Sequence, residues 1–235
     1  MENYNKIDKL IIPRLQNMQP YSPIYPPDII AEKYGLSEND IVKLEILNES
    51  EKYSDNAILF IGSSSIRLWK SIQQDLAPYE PIRRAYGGAR YTDLIHFTER
   101  LVSPHNVKAV GVFVANDITG GVKDLSPKEV LNLTKFIVKQ IRKSHNGSIF
   151  FIETTPTLKR WKAWPNISLA NDLIKAFCES DNKLYYISTR DFYIGENAVP
   201  TEWLFVRDKL HLNRKGYKLW GDIIRRNLND KISLD

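Results

Sequence analysis

Cysteine is nearly missing from this chain. Cys178 is the only one, so no intramolecular disulfide can form. It directly follows the apolar helical stretch Leu173–Phe177, where a buried, inert thiol is expected. A single free thiol suits a reducing compartment. Histidine is also scarce, at four residues, and no histidine or cysteine group has metal-ligand spacing, so the expectation is chemistry without a metal or cofactor. His96, His105 and His145 have no ligand-like neighbours in sequence and are expected at the surface. No apolar run approaches the roughly 20 residues of a membrane span. Met1–Lys6 lacks the basic start and long apolar stretch of a signal peptide. The expectation is therefore a soluble, cytoplasmic protein with no membrane partner. Charge of one sign is not concentrated: 33 basic and 28 acidic residues, net +5, are mixed along the chain. That mixture reads as a solvated surface rather than a nucleic-acid groove. No repeat or low-complexity tract is visible.

What is present suits one domain, or one domain with an arm. The 235 residues are 43% hydrophobic and 26% charged, the balance of a globular protein large enough to need no staple. Residues 1–52 differ from the rest: Pro13, Pro20, Pro23, Pro26 and Pro27 cut them into extended pieces. Short helices are predicted over Asp28–Tyr34, ended by Gly35, and over Ser37–Leu44, with Ser37 and Asp40 as a capping pair. Ile11, Ile12, Ile24, Ile29, Ile30 and Ile41 are too many apolar residues for a free tail, so this is an arm that packs on something.

From residue 53 to 235 strands and helices alternate. Apolar runs predict strands over Ala57–Ile61, Pro81–Tyr86, Val107–Val114, Ser148–Glu153 and Lys183–Ser188. Helices are predicted over Ser65–Gln73, Tyr91–Leu101, from Ser126 as N-cap with Pro127 and Glu129 behind it, over Ile167–Glu179 and over Arg214–Leu228. Strands apolar on both faces indicate a parallel sheet. The predicted fold is a flavodoxin-like α/β three-layer sandwich with a five-stranded parallel sheet.

Four segments then fall at strand ends: Gly62–Ser65, Gly87–Gly88, Val114–Asp117 and Asp208–His211. A hydroxyl becomes a nucleophile when a histidine can take its proton. Of Ser63, Ser64 and Ser65, Ser64 is the chosen nucleophile, the other two being turn and cap residues. Asp208 and His211, three apart, share a face if they lie on a helical turn. The carboxylate would then hold the imidazole tautomer. The backbone N–H groups of Ser64 and Gly88 and the side-chain amide of Asn116 are candidate oxyanion donors. Asp117 reads as a cap for the loop after Asn116.

With these segments in place, residues 57–235 resemble an SGNH/GDSL-type hydrolase. The first block matches Phe60–Ile66, the second Tyr86–Ala89, the third Val114–Asp117 and the last Asp208–Asn213, followed by Gly216 and Tyr217. The resemblance implies catalytic Ser64, His211 and Asp208, and an oxyanion hole from Ser64, Gly88 and Asn116. It departs from the pattern at Val114, which stands for a glycine and could crowd the Asn116 loop, and at Arg83, which stands for an asparagine. Residues 1–48 resemble a different family, through Leu10–Leu15, Pro20–Ile24, Ala31–Leu36 and Asp40–Glu45: the N-terminal arm of histidinol-phosphate-type aminotransferases. In that family the arm helps build the dimer, so the resemblance implies a contact with a partner or a second copy; the rest of the chain shows no lysine context for pyridoxal phosphate.

Lys159–Pro165 follows the fourth strand and should overhang the same edge as Ser64. Trp161 and Trp164 either form a substrate wall there or pin the loop to the body, and Trp203 with Phe205 supplies an opposite wall. Trp220, on the apolar face of the last helix, reads as core. The expected activity is hydrolysis of a carboxylic ester, short acyl or acetyl, including acetyl groups on carbohydrate. Acyl transfer from the same residues, or a non-catalytic binding module, are the alternatives.

Overall fold

A computed structural model of the chain describes residues 38–233. The helix expected over Asp28–Tyr34, most of the proline-rich arm and the Ser37 cap lie outside the described residues. The elements in order are α1 (Glu38–Ser50), β1 (Ile58–Gly62), α2 (Ser64–Leu68), α3 (Ile72–Leu76), β2 (Pro81–Ala85), α4 (Tyr91–Val102), β3 (Ala109–Phe113), α5 (Pro127–Ile141), β4 (Ser148–Ile152), α6 (Trp164–Cys178), β5 (Leu184–Ile187), α7 (Arg190–Tyr193) and α8 (Arg214–Asn229). A kinked 3₁₀ segment at Leu158–Ala163 precedes α6, and a 3₁₀ turn at Glu202–Leu204 precedes α8. The five strands form one parallel sheet in the order β2-β1-β3-β4-β5.

Strand periodicity divides the core in two. Leu59, Ile61, Val110, Val112, Ile149 and Phe151 face one side and pack with α1, α4, α5 and α6. Their neighbours Ile58, Phe60, Ala109, Phe113, Phe150 and Ile152 face the other and pack with α2, α3 and α8. Every residue of β1 is buried, and each large apolar side chain there contributes about 1.5–3 kcal/mol. The result is the predicted three-layer α/β sandwich.

The strand order places a switch point. From β1 the chain crosses one way to β2 and, by way of β2, returns past β1 to β3. Beyond the carboxyl ends of β1 and β3 a crevice therefore opens, the usual ligand position in such sheets. Ser64 follows β1 and Asn116 follows β3.

Several elements differ from expectation. The helix expected over Ser65–Gln73 is two helices, because Trp69 leaves helical geometry (φ −75°, ψ 77°). Its buried ring stacks on Tyr217 at 5.8 Å and meets Trp220 at 5.1 Å, while its indole N–H donates to Asp75 at 2.8 Å. Helix α6 begins at Trp164 rather than Ile167, with Pro165 in its first turn. Helix α1 runs on to Ser50 and is docked on the body. Ile41 is fully buried, Arg100 binds Glu38 and Glu45 at 2.7 Å each, and the buried Arg84 binds Asn48 at 2.8 Å and Glu51 at 2.7 Å. No helix among the described residues is long and apolar enough to cross a membrane.

Candidate active site

The turn after β1 demands glycine. Gly62 has φ +136°, and a Cβ on it would lie 1.9 Å from the Phe113 carbonyl oxygen. That close approach lets the Ser63 N–H donate to Phe113 O at 2.9 Å, so the chain leaves β1 against the end of β3. Ser63 is buried by this turn, and Ser65 uses its carbonyl to accept the Tyr217 hydroxyl at 2.8 Å. Of the three serines, Ser64 has its Oγ beside an imidazole, 2.9 Å from His211 Nε2.

His211 comes from 147 residues further along the chain, and several contacts bring it there. The loop before it is closed by a Phe205–Leu212 antiparallel bridge, with Val206 N–H donating to His211 O at 2.8 Å. This corrects the helical turn expected for Asp208 and His211: they sit in a tight turn. Lys209, between them, takes a left-handed φ of +59°. Asp208 Oδ1 accepts the backbone N–H groups of Leu210 and His211, each at 2.9 Å, and Oδ2 meets His211 Nδ1 at 2.6 Å. Helix α8 then starts at once. Asn213 caps it by accepting from Lys215 and Gly216, and donates back to Trp203 O at 2.7 Å. Arg214 binds Asp75 of α3 through two bonds at 3.0 and 2.7 Å, and Tyr217 reaches the Ser64 helix.

A carboxylate can only accept, so Nδ1 carries the proton and Nε2 is left to accept from the Ser64 hydroxyl. Partial burial pushes the Asp208 carboxyl up, but the bonds from His211 and Leu210 hold it below the usual aspartate value. The arrangement can therefore take a proton from a hydroxyl and stabilise the imidazolium that results.

Of the three expected oxyanion donors, Ser64 and Asn116 line one pocket, whereas Gly88 lies on the neighbouring turn and is not among the lining residues. Ser64 opens α2, so its N–H has no intrahelical partner. Gly88 sits in an exposed turn with φ +74°, which a glycine adopts without strain. Tyr86 N–H donates to Gly62 O at 3.1 Å and brings that turn alongside β1. Asn116 Nδ2 donates to Ala89 O at 2.8 Å and Oδ1 accepts from Arg160 at 2.7 Å. Val114 does not crowd this loop: it is buried in the core, and its carbonyl accepts from Thr154 at 3.0 Å. Arg83 donates to Trp69 O at 2.9 Å.

Ser64, Asn116 and His211 line one pocket of about 470 Å³, measured with its open mouth. Phe113, Phe205, Leu210, Leu212 and Trp220 make its apolar wall; Thr154, Thr155, Thr157 and Arg160 make its polar one. Of the residues expected as substrate walls, Phe205 lies on this pocket. Trp161, Trp164 and Trp203 do not. Trp161 and Trp164 stack on each other at 5.8 Å, and Trp164 packs against the core under the Arg190 guanidinium. Trp203 is 61% exposed beneath Lys215. Trp220 is core, as expected, and also reaches the pocket floor.

Other expectations need correction. His145 is buried, and His96 and His105 are half-buried rather than at the surface; burial lowers the last two to about 4. Asp117 accepts the Tyr91 N–H at 3.1 and 3.0 Å, so it serves the start of α4 rather than its own loop. Cys178 is buried and its thiol is pushed up to about 12, chiefly by burial, which keeps it inert. Arg160 is the residue that spacing did not single out. It sits in a run of cations, and nothing local distinguishes it from Lys159 or Lys162.

No family model matches the chain, and no curated protein matches it in sequence. Solved structures do. A Streptococcus pneumonia protein provisionally described as a platelet activating factor superposes with TM-score 0.73 at 18% identity, over 85% of this chain and 96% of that one. A GDSL-like lipase from Bacteroides thetaiotaomicron gives 0.66 at 13% identity, over 81% and 97%. An acetyl xylan esterase gives 0.61 at 20% identity, over 73% and 99%. At these identities the likeness establishes a shared fold. None of the three is an aminotransferase, and the resemblance of residues 1–48 to an aminotransferase arm gains no support from them.

Proposed function

We propose that this chain is a serine esterase that hydrolyses a small acyl ester through an acyl-enzyme on Ser64. The observation that carries the reading is the continuous relay from Ser64 Oγ to His211 Nε2 at 2.9 Å and from His211 Nδ1 to Asp208 Oδ2 at 2.6 Å. As Oγ attacks the carbonyl carbon, its proton passes to Nε2 and Asp208 stabilises the imidazolium. The carbonyl oxygen becomes an oxyanion, with the N–H groups of Ser64 and Gly88 and the Asn116 amide as donors. Collapse expels the alcohol, which takes the proton from His211. Water then repeats the sequence on the acyl-enzyme and frees the acid.

A short acyl group is favoured because buried side chains close the pocket behind Ser64. Phe113, Phe205, Leu212 and Trp220 are each at most 7% exposed, and a long chain would have to displace them. That one similar structure is an acetyl xylan esterase supports an acetyl ester on carbohydrate. Two measurements test the reading. A fluorophosphonate probe labels the wild type and not Ser64→Ala, whose kcat falls by about 10⁴–10⁶. Across p-nitrophenyl esters, kcat/KM is highest for acetate to butyrate and drops by octanoate. Labelling that survives in Ser64→Ala removes the nucleophile assignment, and a preference for octanoate removes the short-acyl one.

A further inference from the structure

Arg160 interrupts the 3₁₀ turn Leu158–Ala163: its own φ of −114° and ψ of 17° are non-helical. The kink accompanies a side chain that reaches across to the loop after β3. One terminal nitrogen donates to Ala115 O, and the other donates to Asn116 Oδ1 at 2.7 Å. The same turn is bonded to the loop of the general-base pair, through Lys159 N–H to Lys209 O at 3.1 Å.

Both acceptors of this guanidinium are uncharged. Burial pushes its pKa below the usual arginine value, and the more distant Asp124 and Asp117 offset only part of that cost. A half-buried cation spent on two carbonyl oxygens is a poor stabilising device. It is a good orienting one. A guanidinium has no acceptor, so the Asn116 carboxamide can face it only with its oxygen. The nitrogen is thereby turned to Ala89 O, where it donates at 2.8 Å. One N–H is used there, and the second remains for the pocket that Asn116 lines. Positive charge on the amide oxygen also draws electron density from the nitrogen and strengthens that donor.

We infer that Arg160 is a positioning residue of the oxyanion site, fixing which end of the Asn116 amide meets the developing charge and sharpening it as a donor. The inference rests on the esterase reading above. It predicts an effect on kcat, where the oxyanion forms, with KM nearly unchanged.

The test is a double-mutant cycle on the full chain with p-nitrophenyl acetate, with melting temperature followed in parallel. Arg160→Met removes the donor while keeping an unbranched apolar chain, and should lower kcat by about 10–10²-fold. Asn116→Ala should lower it by about 10²–10³-fold, and the double variant no further than Asn116→Ala alone. Arg160→Lys keeps the charge but cannot reach both oxygens in fork geometry, and should fall between wild type and Arg160→Met. Should Arg160→Met prove unstable, Arg160→Lys completes the cycle. Losses that multiply in the double variant would overturn the inference, as would wild-type kcat in a folded Arg160→Met. A folded Asn116→Ala with wild-type kcat would overturn the oxyanion reading beneath it, and the inference with it.

Discussion

Replacing Asp208 by asparagine should cost more activity than replacing it by alanine, although asparagine is the closer mimic. Two backbone N–H groups, of Leu210 and His211, need an acceptor at this side chain, each at 2.9 Å in the wild type. Asparagine satisfies both with its amide oxygen, which turns its NH₂ toward His211 Nδ1. That nitrogen must then accept, so the ring proton moves to Nε2, the atom facing Ser64 Oγ at 2.9 Å. A protonated Nε2 cannot take the serine proton. The expected loss is about 10³–10⁴ in kcat, or about 4–5 kcal/mol of transition-state stabilisation.

Alanine leaves the imidazole free to take either tautomer. The wild-type carboxylate is 47% exposed, so water can replace part of its bonding. Its kcat loss should therefore be smaller. Its fold should suffer more, because the turn loses both acceptors: about 1 kcal/mol, or 2–4 °C for a domain of this size. The order of kcat is aspartate, then alanine, then asparagine, while asparagine stays nearest the wild type in melting temperature. The assay is p-nitrophenyl acetate hydrolysis at pH 7–8, blanked with Ser64→Ala, beside calorimetry. An asparagine variant within tenfold of wild type would refute the tautomer argument.

Gly62→Ala should yield little soluble protein, or a stability to denaturant lowered by about 3 kcal/mol or more, since its Cβ would lie 1.9 Å from Phe113 O at a φ of +136°. Tyr217→Phe keeps the stack on Trp69 but loses the bond to Ser65 O, and calorimetry should show a loss of about 1 kcal/mol. Asp93 offers a pH test: burial, opposed by the Arg90 backbone N–H, pushes its carboxyl up to about 7. The native state thus binds this proton more tightly than the unfolded chain, whose aspartates titrate near ~3.9, so this group's contribution to stability declines as pH rises from about 4 to about 7. The melting-temperature gap between Asp93→Asn and wild type should widen in the variant's favour from pH 5 to pH 8; a flat gap would show that Asp93 is not held protonated.

What could be read from the chain, and what could not, divides along sequence separation. Strand ends are local: an apolar run stopped by Gly62, by Gly87–Gly88 or by Asn116 announces its turn within a few residues. A parallel sheet then puts those turns on one edge, so Ser64, Gly88 and Asn116 could be grouped without coordinates; Asp208–His211, expected at a strand end, instead follows β5 by some twenty residues, and only the resemblance added it to the group. The supports of that group are not local. Asp75 meets Arg214 across 139 residues, Tyr217 meets Ser65 across 152, and Arg160 meets Asn116 across 44. Each is one polar residue among many on an exposed-looking stretch, and no period or spacing marks which will be drawn inward.

The tryptophans fail as cleft markers for a related reason. Their positions along the chain follow from the strand before them, but the direction of a ring depends on its neighbours. Pro165 starts α6 at Trp164, so that ring leaves with the helix, takes Trp161 with it as a stacking partner and lies over the core instead of the pocket. Phe205 is different because the backbone bridge to Leu212 carries it into the same loop as His211. The residue that reaches the pocket is thus the one whose bridge partner, Leu212, adjoins the base, next to the Val206 N–H bond to His211 O. Substrate preference should follow Phe205, whose truncation to alanine lengthens the acyl pocket, more than it follows Trp161, Trp164 or Trp203. Phe205→Ala should move the best p-nitrophenyl ester to a longer chain, while Trp203→Ala leaves the chain-length profile where it was. The reverse result would place the acyl group outside the pocket lined by Ser64 and His211.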